Sequence, residues 1–327
     1  MTSHRYAFDR RDLVLLLGGP LVPIALFAVL MQGGAALGWL PAPRPALDVD
    51  RTLLIHQIEA ARSRQEAEIV LVGDSSCLMD ISAKQLSALL GCRVLNLGTH
   101  SYLDLLAYAQ LLREHVAAHP RPPRAVVLLL HPEALRRVTP ETYHSALFQS
   151  LLRGEDLPPL GGPRERIRQL LGLEAFRNRC LSRWLPAPLP GAYGRTYGFS
   201  RDLEKFLMRN QGSVLDPEPA PLRGNSEYRL APQIEAPSRL FRAAVPAGTM
   251  LVVGITPVPA EFAGRAYPGV HGPMLHQWSQ WLQADAALVE LPCTLPDRHF
   301  ARVAHLNQDG VRLYTEALAR VLKQRLP

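Results

Sequence analysis

The run Ile69-Val70-Leu71-Val72 passes directly into Gly73-Asp74-Ser75-Ser76. A short β-branched apolar run bounded by turn formers reads as a buried strand, and with helical patterns on either side of it the chain reads as an α/β fold. Open α/β sheets carry their sites at the carboxyl edge of the strands, so Ser75 stands where a nucleophile would be presented. Gly, Asp and Ser also favour turns in general, and the same four residues would serve as an ordinary strand-ending turn.

The surrounding pattern alternates between helix and strand. Leu53, Leu54, Ile55 and Ile58 have the spacing of an amphipathic helix, and Ser82 with Gln85 has the spacing of a capping box on a helix that should stop at Gly91. A strand over 93–97 follows, then a helical pattern through Leu103, Leu106, Leu111 and Val116 that ends before Pro120. Ala125-Val126-Val127-Leu128-Leu129-Leu130 is an unbroken apolar run, as expected of a strand covered on both faces. Met250-Leu251-Val252-Val253-Gly254-Ile255 repeats that signal, and a helix around 274–283 and a short strand over 287–291 complete a count of five parallel strands. The expected architecture is a three-layer α/β/α sandwich with a flavodoxin-like sheet.

Near the end, His305 lies in Ala304-His305-Leu306-Asn307-Gln308-Asp309-Gly310, just before a closing helical pattern. Val94-Leu95-Asn96-Leu97-Gly98-Thr99 places a glycine after the second strand. A serine after the first strand, a glycine after the second and a histidine before the last helix, in that order, resemble the SGNH (GDSL-type) hydrolase family over most of residues 66–135 and 248–325. The proline-bearing turn Thr256-Pro257-Val258-Pro259 is similar to one found in that family. The resemblance implies Ser75 as nucleophile, His305 as its base and the backbone amides of Ser75 and Gly98 as the oxyanion hole. A serine hydroxyl needs such a base, because it is a weak nucleophile at neutral pH.

Two positions depart from the family. Its acid lies three residues before the histidine, where this chain has Arg302, and its asparagine donor after the third strand is replaced by Leu130-His131-Pro132-Glu133. Asp297 is the candidate to orient His305 instead, and His299 is the second choice of base. Asp74, His131, Glu133 and Asn307 are further residues that could line the cleft.

The amino terminus sets the compartment. No charged residue occurs over 13–43, and 13–40 is long and apolar enough to cross a hydrocarbon core of about 30 Å despite Pro20 and Pro23. His4, Arg5, Arg10 and Arg11 precede it, so the positive-inside rule expects residues 1–12 in the cytoplasm and the body outside, with Trp39 at the outer interface. A cleaved signal peptide is the rival reading, but the stretch is long and lacks a clean A-x-A site. Residues 41–50, with Pro43 and Pro45, read as a stalk.

The expected domain has a first part over 51–139 and a second over 248–327, with 140–247 as an inserted cap, because so long an excursion exceeds an ordinary loop. Within it, Arg164, Arg168, Arg179 and Arg183 alternate with Ile167, Leu170, Leu171, Phe176 and Leu181. That pattern reads as a surface helix with a solvated arginine face. The other reading is a lid that lies on anionic headgroups or grips a polyanionic glycan.

The net charge is +7, but only 20% of residues are charged and no Lys/Arg-rich run or zinc-finger spacing occurs, which argues against nucleic acid as a partner. Cys77, Cys92, Cys180 and Cys293 form no C-x-x-C, so no metal or redox motif is expected, and their disulfide state stays open. No cofactor is expected.

Among outward-facing anchored proteins, the resemblance is closest to those that move acyl groups onto cell-surface or secreted polysaccharides, often beside a multi-pass membrane acyltransferase. It implies a periplasmic O-acyltransferase or acylesterase, held in the inner membrane by a single span and acting on an envelope polysaccharide through a serine acyl-enzyme. The alternatives are a catalytically weakened scaffold or glycan-binding component of a polysaccharide assembly complex, and a tethered lipid esterase.

Overall fold

The computed structural model describes residues 9–326 except 45, 64–65, 102, 137–140 and 156–161. The chain divides into two compact units, one formed by 1–46 with 153–186 and the other by 47–152 with 187–327.

In the first unit the apolar stretch forms helices Arg10–Gly18 and Leu21–Ala36, which start at a capping box between Asp9 and Asp12. Together they make a 27-residue run of hydropathy 2.6, long and apolar enough to span a membrane. The helix stops at Ala36, four residues before the expected end of the span, and Trp39 lies exposed beyond it.

The second unit is built on a five-stranded, wholly parallel sheet. Its strands are β1 (Ile69–Gly73), β2 (Val94–Asn96), β3 (Ala125–Leu130), β4 (Met250–Ile255) and β5 (Ala286–Ala287), in the order β2-β1-β3-β4-β5. β1 runs in register with β3 from Ile69 against Ala125 to Gly73 against Leu129. Every residue of β1 and β3 is buried, and because successive side chains point to opposite faces, both faces of the sheet must be covered. One face carries Ile69, Leu71, Val127, Leu129 and Val252, packed with Leu86, Tyr314 and Leu318 from the Ala83–Leu90 and Gln308–Arg325 helices. The last strand differs from expectation. Only Ala286 and Ala287 pair with β4, and after a last hydrogen bond from the Leu288 N–H to the Val253 carbonyl at 2.8 Å residues 289–291 leave the sheet.

The local signals are obeyed where they were clearest. Ser82 Oγ accepts from the Gln85 N–H at 3.2 Å, and Gly91 ends that helix at φ 71°. Leu53, Leu54, Ile55 and Ile58 are the buried side of the Val49–Arg62 helix.

The expected cap over 140–247 does not stay together. Residues 153–186 group with the amino-terminal helix, while 187–247 pack into the sheet unit. There Leu189, Tyr193, Leu203, Leu207 and Val214 form a small core with Leu53, Leu78 and Met79.

Candidate active site

β1 and β3 approach so closely at their ends that a Cβ on Gly73 would lie 1.8 Å from the Leu129 carbonyl oxygen, so only glycine fits. The chain then turns into the Ser75–Asp80 helix, N-capped by Asp74. One oxygen of that carboxylate accepts from the Ser76 N–H at 3.0 Å and the Ser76 hydroxyl at 2.6 Å. The other accepts from the His131 N–H at 2.9 Å, which ties the turn to the end of β3. Ser76 therefore faces inward, and its hydroxyl also accepts from Thr256 Oγ1 at 2.9 Å. Asp74 is a clamp, and burial pushes its carboxyl upward against those hydrogen bonds.

Ser75 faces the other way. Its Oγ lies 2.9 Å from His305 Nε2, and His305 Nδ1 lies 2.5 Å from Asp216 Oδ2. An ionised carboxylate can only accept, so Nδ1 carries the hydrogen, and in the neutral imidazole Nε2 is then the acceptor to which the Ser75 hydroxyl donates. Ser101 Oγ, 3.0 Å from Ser75 Oγ, then donates to the serine. The donors Ser101, Ser75 and His305 lead in turn to the accepting carboxylate of Asp216, whose side chain is 1% exposed.

Asp216 is held by long-range contacts. Asn96 donates its N–H to the Gln211 carbonyl at 2.9 Å, and the Val214 N–H donates to the Leu78 carbonyl at 3.2 Å. Ser213 Oγ accepts from the Ala83 N–H and from Asn96 Nδ2, both at 3.0 Å. Gln57 Nε2 bridges the carbonyls of Gly98 and Gly212 at 2.6 and 3.2 Å. Segment 211–216 is thus laid beside β2, which points the carboxylate at His305.

Arg302 lies beside that carboxylate rather than against the imidazole. Its Nε is 2.7 Å from Asp216 Oδ2, and its Nη2 donates to the Glu218 carbonyl at 2.9 Å and pairs with Glu218 Oε2 at 3.1 Å. Burial alone would raise the Asp216 carboxyl, but the His305 hydrogen bond and charge, the Glu218 N–H and Arg302 outweigh it and hold the group below the usual carboxylate range. The guanidinium that displaces the expected acid in sequence thus adds, after the His305 contacts and the Glu218 N–H, to what holds the acid that replaces it ionised.

Asp297 does not orient His305. It opens a short 3₁₀ turn, and its Oδ1 accepts from the Glu261 N–H at 2.9 Å. His299, two residues on in the same turn, receives the Asn307 N–H on its backbone carbonyl. The histidine loop itself is fixed from below, where the Leu306 N–H donates to Asp80 Oδ1 at 2.7 Å.

The oxyanion arrangement also differs from expectation. The Gly98 N–H donates to Asn96 Oδ1 at 2.8 Å, so it is engaged by the side chain two residues before it. Gly98 is required for packing, because a Cβ there would sit 2.5 Å from the Leu78 nitrogen. The donors left at Ser75 are its own N–H, which has no acceptor among the described residues, and the Ser101 hydroxyl. Ser101 was not anticipated from the sequence, since a serine in a short loop carries no distinguishing pattern.

His131 is buried, and burial together with the charge of His305 lowers its imidazole to about 3, so it is neutral. Its Nδ1 accepts from the Glu133 N–H at 3.2 Å, while Nε2 has no hydrogen-bond partner in range although the Val303 backbone is near. Glu133 pairs with Arg136 at 3.2 Å. Asn307 N-caps the last helix, accepting from the Gly310 N–H at 3.1 Å. Among the described residues the hydrogen bonds of the His131 and Asn307 side chains run elsewhere than to Ser75. No group of three or more His, Cys, Asp or Glu among the described residues is arranged to hold a metal, and Cys77, Cys92, Cys180 and Cys293 are free thiols.

No model of a known protein family matches the chain, and no curated protein is significantly similar to it in sequence.

Proposed function

We propose that this protein is a membrane-anchored serine O-acyltransferase or acylesterase that acts on a cell-envelope or secreted polysaccharide. The observation that carries the reading is the continuous hydrogen-bonded path from Ser75 through His305 to the buried carboxylate of Asp216. Its geometry suits acyl transfer. His305 Nε2 takes the Ser75 proton as Oγ attacks the ester carbonyl, and Asp216 stabilises the imidazolium that forms. In this reading the Ser75 N–H and the Ser101 hydroxyl, 3.0 Å from Ser75 Oγ, supply the donors for the developing oxyanion. His305 then returns the proton to the departing alkoxide, and a sugar hydroxyl or water takes the acyl group from Ser75 by the reverse sequence. The SGNH-like character of the sheet, the polysaccharide acceptor, a partner acyltransferase and a periplasmic site rest on the resemblance and on the apolar amino-terminal helix.

The test uses the purified full chain in detergent with a fluorophosphonate probe. Wild type should label on Ser75, and Ser75→Ala should reduce labelling to background without lowering the melting temperature, whereas Ser76→Ala should still label. Absence of labelling in folded wild type would favour the scaffold reading. With an activated ester as donor, acyl transfer to oligosaccharide in preference to water separates a transferase from an esterase.

A further inference from the structure

The arginine-rich stretch that the site does not use is packed on the apolar amino-terminal helix. Within the first unit, the Phe27 and Phe176 rings meet edge to face with centroids 5.4 Å apart. Gly172 lies so close to the helix that a Cβ there would sit 2.8 Å from Met31 Cβ and 3.5 Å from Ala28 Cα. Gln32, a polar residue in the apolar run, donates through Nε2 to the Gln169 carbonyl at 2.8 Å. Further along, Arg179 Nη1 donates to the Pro41 carbonyl at 3.2 Å, and the Arg44 N–H donates to the Asn178 carbonyl at 2.8 Å.

These contacts set a depth. Residues 27–32 precede the helix end at Ala36 by four to nine positions, roughly 6–14 Å at about 1.5 Å per residue. If the helix spans a bilayer, that is the boundary between headgroups and acyl chains. The Gln32 bond has the sense expected there, because an unpaired amide at that depth would be costly. The close approach at Gly172 is likewise what small residues allow between membrane helices.

The exposed surface of the same stretch has matching chemistry. In the Pro163–Leu170 helix, Ile167 and Leu170 share a face, with Arg164 and Arg168 to one side of it and Arg166 to the other. Leu170 is 74% exposed and Trp184 80%, and Leu173 and Leu185 are exposed too. Six arginines oppose two glutamates over 163–185, and Arg164, Arg166, Arg168, Arg177 and Arg183 have no ion pair among the described residues. Apolar side chains flanked by guanidinium groups that have no ion pair among the described residues, next to a spanning helix at interfacial depth, fit a surface of anionic phospholipid.

We infer that residues 163–185 form a second membrane-contacting element, with Ile167, Leu170, Leu173, Trp184 and Leu185 among the acyl chains and the flanking arginines at lipid phosphates. This rests on the amino-terminal helix being a membrane span and is independent of the chemistry at Ser75.

The test reconstitutes the full chain into phosphatidylcholine vesicles, with and without phosphatidylglycerol, that contain a trace of phospholipid bearing a diazirine on its acyl chain. After irradiation and digestion, lipid adducts are expected on peptides from 163–185 as well as from 10–36, with yield on the former at least about twofold higher when phosphatidylglycerol is present. Ile167→Asp with Leu170→Asp should cut adducts on 163–185 about fivefold or more and leave those on 10–36 unchanged. Adducts confined to 10–36 would overturn the inference while leaving the anchor intact. Adducts on neither would overturn both. Equal yields in the two vesicle types would remove the role given to the arginines.

Discussion

Two parts of the active site hold buried carboxylates in opposite electrostatic settings. Asp74 and Asp80 bracket the helix that begins at Ser75, and among the described residues each meets only neutral donors directly: Ser76 and the His131 N–H for Asp74, the Leu306 N–H for Asp80. Burial dominates both and pushes their carboxyls upward, that of Asp80 well upward. Asp216, on the segment beside β2, meets His305 and Arg302 and is held low. All three are buried, Asp74 and Asp80 more deeply than Asp216, and the groups facing each carboxylate differ in kind. At Asp74 and Asp80 burial outweighs the hydrogen bonds from neutral groups, whereas at Asp216 the His305 hydrogen bond and charge, the Glu218 N–H and Arg302 together outweigh burial and keep the carboxylate ionised and able to stabilise an imidazolium.

The largest effect expected from that contrast is chemical. Asp216→Asn should slow fluorophosphonate labelling of Ser75 by about 10⁴, the scale associated with losing the carboxylate that fixes a catalytic histidine's tautomer. Asp297→Asn should label at the wild-type rate. A large loss at Asp297 with little at Asp216 would break the assignment of the acid.

Asp74→Asn should cost stability first. An amide offers one acceptor oxygen where the carboxylate uses two, so one buried N–H loses its partner, at about 1–3 kcal/mol. Chemical denaturation of the sheet unit in the full chain measures this, and a variant as stable as wild type would show that Asp74 is not the clamp described.

The pH dependence of stability should run in opposite directions for Asp80 and Asp216. A carboxyl raised on folding contributes stability that is complete below its unfolded pKa of about 4 and lost as pH climbs toward the raised folded value. Asp80→Asn, which keeps an oxygen for the Leu306 N–H, should therefore gain on wild type between about pH 4 and neutrality, by on the order of 1 kcal/mol. The depressed Asp216 contributes stability that is present above about pH 4 and lost as pH falls through its lower folded value, so any advantage of wild type over Asp216→Asn should shrink only below about pH 4. Melting curves across pH 3–8 would distinguish the two, and parallel curves would remove the contrast.

Ser101→Ala should have the smallest effect. It removes one hydrogen bond between neutral groups, worth about 0.5–1.5 kcal/mol, so labelling should slow by roughly twofold to tenfold. A loss approaching that of Asp216→Asn would make Ser101 a principal oxyanion donor.

The serine side of the site was legible in the sequence because its causes are close together in the chain. Gly73, Asp74 and Ser75 form the turn and the cap within three residues, and the apolar run before them is a strand wherever a parallel sheet forms. The acid was not legible. Asp216 lies 89 residues before His305, in a proline-rich stretch, and its direction is set by Asn96, Leu78, Ala83 and Gln57, none of which has a sequence relationship to it. Arg302 was legible as a departure but not as a partner, since the side chain's direction depends on where Asp216 and Glu218 arrive. The end of the sheet was overread for a simpler reason. Ala286-Ala287-Leu288-Val289 is apolar enough for a longer strand, yet Leu288 turns inward to the core against Gly254 and Val289 is exposed.

Gln57 spends both hydrogens of one amide on two different loops, the carbonyl of Gly98 beside the serine and that of Gly212 beside the acid. Its Oε1 is buried without a partner. In the terms of local unfolding, the two loops belong to a single cooperative unit, because a fluctuation that frees one carbonyl strands the buried amide and weakens its hold on the other. Loss of the nucleophile's loop and loss of the acid's loop are therefore coupled through one side chain.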